Sequence, residues 1–146
     1  MQKKKLKILL IEDDQMLATI YAAKLEQLGY NYKHVSDGET GINEVAKFAP
    51  DVVLLDIILP KKDGFAVLKA IKSDKKTQKI VVILLTNLGQ EDDIKKGLDL
   101  GAANYLTKTN CTPTQIVAEI NKILDKSKKD KSKKDKSKKD KSKKKK

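Results

Sequence analysis

Short apolar runs that stop abruptly at polar, chemistry-bearing residues constrain this chain more than any other feature. Residues 6–11 run into Glu12-Asp13-Asp14, residues 52–55 into Asp56, residues 80–85 into Thr86, and the pair Tyr105-Leu106 into Thr107-Lys108. Runs this brief, bounded by polar or turn-forming residues, read as buried strands. Residues 30–35 read as a further strand, closed by a Ser36-Asp37-Gly38 turn. Between the runs the apolar residues change to helical spacing. Leu17, Ile20, Tyr21, Leu25 and Leu28 precede a stop at Gly29, and Ile42, Val45, Ala46 and Ala49 precede Pro50. Pro60 and Gly64 break the chain, and Phe65, Leu68 and Ile71 then begin a third helix. Ile94 and Leu98 lie on a fourth helix that stops at Gly101. Thr112-Pro113-Thr114-Gln115 opens the last helix with a hydroxyl cap, a proline at the first helical position and a glutamine at the third. Ile116, Ile120, Ile123 and Leu124 form its apolar face.

Strands alternating with amphipathic helices imply a parallel sheet covered on both faces. With right-handed crossovers this is a doubly wound α/β sandwich, whose ligands bind beyond the carboxyl ends of the strands. Those ends carry Glu12, Asp13 and Asp14, then Asp56, Thr86 and Lys108, so carboxylates, a hydroxyl and an ammonium meet at one edge. Singly, each has an ordinary reading as helix cap, turn former, β-former or surface lysine. Together they describe a site. Crowded carboxylates repel and need compensation. A Mg²⁺ ion prefers oxygen ligands and pairs carboxylates with a phosphate, and Lys108 is a second positive charge. The chemistry that fits is phosphoryl transfer to an aspartate, with metal and lysine neutralising the phosphoryl oxygens and Thr86 donating to one of them.

The matching segments are Lys7-Ile8-Leu9-Leu10-Ile11-Glu12-Asp13-Asp14, Asp51-Val52-Val53-Leu54-Leu55-Asp56, Leu59-Pro60-Lys61-Lys62-Asp63-Gly64, Leu84-Leu85-Thr86 and Gly101-Ala102-Ala103-Asn104-Tyr105-Leu106-Thr107-Lys108. In this order, over about residues 5–125, the chain resembles the receiver domain of bacterial response regulators. The resemblance implies a flavodoxin-like five-stranded parallel sheet, strand order 2-1-3-4-5, with helices on both faces. It implies a stand-alone switch of a two-component phosphorelay, catalysing only its own phosphorylation and dephosphorylation. Asp56 resembles the acceptor that takes phosphoryl from a sensor kinase's phosphohistidine. Glu12 and Asp13 resemble the acidic pair that holds Mg²⁺ together with Asp56 and the backbone carbonyl of Ile58. Asp14 is a further ligand candidate or a cap of the first helix. Thr86 and Tyr105 resemble a hydroxyl–aromatic switch pair, with Tyr105 otherwise a packed aromatic. An output protein is expected on the last two helices and fifth strand.

The chain also departs from that pattern. Thr109 follows Lys108 where family members commonly have proline, and a non-proline cis bond costs about 2.5–4 kcal/mol. Asn87 follows Thr86 where a small residue is usual, and either reaches the phosphoryl group or is a polar helix entry. Ile58 and Leu88 are apolar where some members guide the attacking water, which predicts slow loss of phosphate. His34, the only histidine, reads as a structural or surface residue away from the acidic cluster, and Cys111 as an inert loop residue.

Charge divides the chain in two. The net charge is +12, but residues 126–146 hold 14 lysines and 3 aspartates, so the first 125 residues carry only +1. We therefore read residues 1–125 as the receiver domain and residues 126–146 as a disordered low-complexity tail built on a Lys-Ser-Lys-Lys-Asp repeat. Three readings of the tail stand side by side: a solubilising extension, a non-specific tether to nucleic acid or acidic membrane, or a docking segment for an acidic protein. The tail has no aromatics for base stacking, and sequence-specific DNA binding is not expected. A receiver-like scaffold for polyanions is the second functional reading, and a metal-dependent phosphatase the weakest. The chain has no arginine, so any phosphate must be held by lysine, hydroxyls or main-chain N–H groups. One cysteine precludes an internal disulfide, and no run approaches a membrane span, so a cytoplasmic location is expected.

Overall fold

The computed structural model describes residues 6–59, 63–86, 91–108, 112 and 114–124. Strands and helices alternate: β1 Lys7–Ile11, α1 Gln15–Gln27, β2 Asn31–Val35, α2 Gly38–Phe48, β3 Val52–Asp56, α3 Gly64–Ser73, β4 Val81–Thr86, α4 Glu91–Asp99 and β5 Asn104–Thr107. A last helix, α5, spans 114–124. The five strands form one sheet in the order β2-β1-β3-β4-β5, and every pairing is parallel. The predicted sheet and strand order are therefore those observed.

Alternate residues of each inner strand feed two separate cores. Leu9, Ile11, Val53, Leu55, Val82 and Leu84 pack against Val45 of α2 and Val67, Leu68 and Ile71 of α3. Ile8, Leu10, Val52, Leu54, Ile83 and Leu85 pack against Ala18, Tyr21 and Leu25 of α1 and Ile116, Val117 and Ile120 of α5. Burying each such aliphatic side chain contributes about 1.5–3 kcal/mol. Near-continuous apolar runs are what a strand covered on both faces requires.

Aspartates start three of the helices. Asp14 accepts from the N–H groups of Met16 and Leu17, Asp37 from Thr40, and Asp63 from Ala66, satisfying amides that have no partner in the first turn. At α5 the predicted reciprocal cap is present: Thr112 N–H donates to Gln115 Oε1 at 2.8 Å and Gln115 N–H to Thr112 Oγ1 at 3.2 Å.

Three expectations are corrected. Asp37 and Gly38 are the N-cap and first residue of α2 rather than a free-standing turn. Ile20 and Leu28 do not belong to the buried stripe of α1; they are 45% and 49% exposed, and Ala18 fills the contact instead. On α4 the buried position is Gly97, not Leu98, because Leu84 Cδ1 occupies the space where a side chain at 97 would lie.

Candidate functional site

The parallel arrangement sends all five carboxyl ends to one edge. Ile11 pairs with Leu55, Asp56 with Leu85, and Thr86 with Thr107, so Glu12, Asp56, Thr86 and Lys108 follow one another across β1, β3, β4 and β5. Lys108 is fixed by its own main chain, which donates to the Thr86 carbonyl at 2.8 Å. Its ammonium bridges two strands, lying 2.8 Å from Asp56 Oδ2, 3.0 Å from Glu12 Oε1 and 3.2 Å from Glu12 Oε2.

The other contacts orient these carboxylates. Glu12 Oε2 accepts from the Asp14 N–H at 3.1 Å, and Asp56 Oδ1 from the Ile58 N–H at 3.2 Å. Carboxylate oxygens of Glu12, Asp13 and Asp56 all lie within 4.8 Å of one another. Asp14 stands outside this trio, with its Oδ1 committed to the start of α1. Asp13 is exposed and Glu12 fully buried. An open cavity of about 500 Å³, lined by these acids, Leu17, Ile58 and Lys108, gives access to them.

Burial, followed by the neighbouring charge of Asp56, pushes the Glu12 carboxyl up to about 7, against the opposing pull of Lys108. Burial also works against the charged form of Lys108, but its contacts with Asp56 and Glu12 outweigh this and its pKa is raised. One ammonium thus incompletely offsets three clustered carboxylates. Hard oxygen donors converging on an accessible cavity, with too little positive charge among them, are what a divalent cation such as Mg²⁺ would take up. Thr86 adds a donor: it is 1% exposed, and its hydroxyl has no hydrogen-bond partner among the described residues. A buried hydroxyl in that condition costs about 1–3 kcal/mol.

A family model described as the response regulator receiver domain matches residues 8–121. This chain belongs to the response regulator receiver family.

Receivers of this family are the phosphorylation-activated switches of two-component systems. The receiver is 40% identical over 102 residues to the DNA-binding dual master transcriptional regulator RpaA of Synechocystis, covering 70% of this chain and 42% of that protein. Among solved structures it resembles the phosphorylated cyanobacterial phytochrome response regulator RcpA, at 34% identity and TM-score 0.67, covering 72% and 81% of the two chains. It also resembles the receiver domain of a DNA-binding response regulator from Colwellia psychrerythraea, at 28% identity and TM-score 0.74, covering 83% and 99%. The chain spans about half the length of the curated relatives it matches. No helix among the described residues is long and apolar enough to cross a membrane.

Around this edge the receiver holds residues that sequence reasoning misplaced. His34 is not remote from the acids: its Nε2 lies 2.8 Å from the Glu12 carbonyl oxygen. Gly64, read as a chain break, is a close-approach residue. A Cβ there would lie 2.5 Å from the Asp56 carbonyl oxygen and 2.6 Å from Ile57 Cα, so only glycine lets α3 abut the main chain at Asp56 and Ile57. Its N–H donates to the Ile57 carbonyl at 2.7 Å. Tyr105, on β5 beside Leu84, is 37% exposed. Ile58 enters the site through its main chain, and its side chain is 60% exposed. Asn87, Leu88, Thr109, Cys111 and residues 126–146 lie outside the described residues.

Proposed function

We propose that this receiver is the phosphoryl-accepting switch of a phosphorelay, with Asp56 as the acceptor of a sensor kinase's phosphohistidine. The observation that carries this reading is the Lys108 ammonium seated on Asp56 Oδ2 at 2.8 Å and shared with Glu12, beside a Thr86 hydroxyl that has no partner among the described residues. An Asp56 carboxylate oxygen attacks phosphorus, the O–P bond forms as the N–P bond breaks, and the electron pair returns to the imidazole of the donor. Lys108 leaves Glu12 and Asp56 for a phosphoryl oxygen, and Thr86 donates to another. Glu12, Asp13, Asp56 and the Ile58 carbonyl would hold Mg²⁺, which supplies charge neutralisation at the phosphoryl oxygens. Asp14 acts as the cap of α1. Movement of Thr86 towards the new charge vacates space for the Tyr105 ring, which turns inward from its exposed position and alters the α4–β5–α5 surface offered to an output protein. Apolar Ile58 does not orient attacking water, so the acyl phosphate persists. The setting is cytoplasmic.

Incubation with a small-molecule phosphodonor, followed by intact mass, tests this. One phosphoryl group should be gained with Mg²⁺, and none without Mg²⁺ or in Asp56→Ala. Phosphorylation of Asp56→Ala to the parent level would overturn the assignment.

The lysine-rich segment favours an additional partner class. A charge of +11 over residues 126–146, against +1 for the rest, supports salt-sensitive, non-specific binding to a polyanion. Truncation after Asp125 should remove that binding at low salt, and unchanged binding by the truncated chain would refute it.

A further inference from the structure

We propose that His34 is a positioning residue for the metal-binding acids, acting through the main chain of Glu12. This deepens the reading of Glu12, Asp13 and Asp56 as a Mg²⁺ site and rests on it. The β1–β2 ladder pairs residues up to Ile11 and Val35, and one more backbone bond follows, from the Glu12 N–H to the Val35 carbonyl at 3.1 Å. Beyond that bond a side chain takes over: the His34 ring nitrogen Nε2 lies 2.8 Å from the carbonyl oxygen of the same Glu12. A carbonyl oxygen only accepts, so Nε2 carries the proton and the ring is the donor. A third bond, from Gln15 Nε2 to Ser36 Oγ at 3.0 Å, ties the start of α1 to the end of β2. The acidic turn is thus strapped to β2 at residues 12 and 15, and Glu12 is gripped on both sides of its Cα.

This grip matters because Glu12 has little freedom. Its carboxylate is fully buried and must meet both Lys108 and the Asp14 N–H, while its oxygens share a 4.8 Å locus with those of Asp13 and Asp56. Partners that orient metal ligands from behind commonly set affinity, and a ligand displaced by a fraction of an ångström coordinates poorly. His34 itself is half-buried on the edge strand β2.

The test uses the full chain with Mg²⁺ as the probe. Calorimetric titration should show His34→Phe, which keeps a ring but has no donor, binding Mg²⁺ roughly tenfold more weakly, the lower end of losses for such partners. His34→Gln, which can again donate, should recover most of the affinity, with circular dichroism confirming that both variants are folded. In the unaltered chain, nitrogen-15 NMR should find the His34 ring protonated at Nε2, with its resonance shifting on addition of Mg²⁺. Unchanged affinity in folded His34→Phe would overturn the proposal while leaving the Mg²⁺ site standing. So would a ring protonated at Nδ1 alone or insensitive to Mg²⁺, a measurement that decides the matter even if the phenylalanine variant does not fold. A parent chain that takes up no Mg²⁺ would remove the site and this proposal together.

Discussion

The interiors of the strands and their carboxyl ends are equally buried but differently satisfied. Ile8, Leu9, Leu10, Val52, Val53, Leu55, Ile83 and Leu84 are fully buried, apolar, and covered by helices on both faces. One step further along the same strands, Glu12, Asp56 and Thr86 are 0%, 5% and 1% exposed. Here two carboxylates share one ammonium, and a hydroxyl has no partner among the described residues. The interior gains free energy from burial, whereas the edge gives some of it up to hold polar groups ready for a ligand. The two zones meet between adjacent residues, Ile11 and Glu12, Leu55 and Asp56, and Leu85 and Thr86, so substitutions on either side of that boundary should act in opposite directions.

The largest effect should come from the interior. Leu54→Ala is expected to destabilise the chain by about 2–5 kcal/mol in urea unfolding, through lost burial and the cavity left behind. Below its melting temperature, that variant should still accept phosphate at Asp56. Gly64→Ala tests the boundary itself. Its Cβ would press on the Asp56 carbonyl and Ile57, at an expected cost of about 1–3 kcal/mol, and unlike Leu54→Ala it should also slow phosphoryl uptake. Thr86→Val should reverse the sign: removing a hydroxyl that has no partner among the described residues is expected to raise unfolding stability by about 1 kcal/mol while impairing the response to phosphorylation. Equal losses of stability in Thr86→Val and Leu54→Ala would erase the distinction between the two zones.

The most gradual effect is in pH. Because the folded chain holds the Glu12 proton up to about 7, against an ordinary 4.5, it binds protons more tightly than the unfolded chain across that window. Stability of the metal-free protein should therefore fall as pH rises from about 4.5 to 7, and level off above. Glu12→Gln should flatten the slope, and Mg²⁺ should restore stability at neutral pH by binding the folded state. A metal-free stability that climbs through this window would contradict the assignment.

The sheet and most of the edge were legible because an apolar run names its strand and its last residue names what reaches the edge. Asp56, Thr86 and Lys108 are read that way without knowledge of neighbours. What was not legible depends on how elements meet. Ile20 and Leu28 fit the helical spacing of α1, but α1 contacts the sheet through a narrower stripe that admits Ala18 instead. Gly97 shows no apolar signal, yet it is the buried residue of α4, because the Leu84 side chain fills the space beside it. His34 pairs with a main-chain carbonyl, which leaves no trace in residue types and exists only once β1 and β2 are in register. Asp14 and Asp13 are indistinguishable by composition; the main-chain bonds at the start of α1 separate them.

One contact far from the acids bears on how the molecule could be handled and wired. The Tyr30 hydroxyl, just ahead of β2, donates to Asn121 Oδ1 at 2.7 Å, which places the end of α5 at the amino edge of the sheet. Asp56 sits at the carboxyl edge. A surface linkage, fluorophore or fused cargo introduced at the end of α5 would therefore face away from an incoming phosphodonor. The body of the sheet stands between the two like an insulating layer, so the input terminal could be loaded while the opposite pole is anchored.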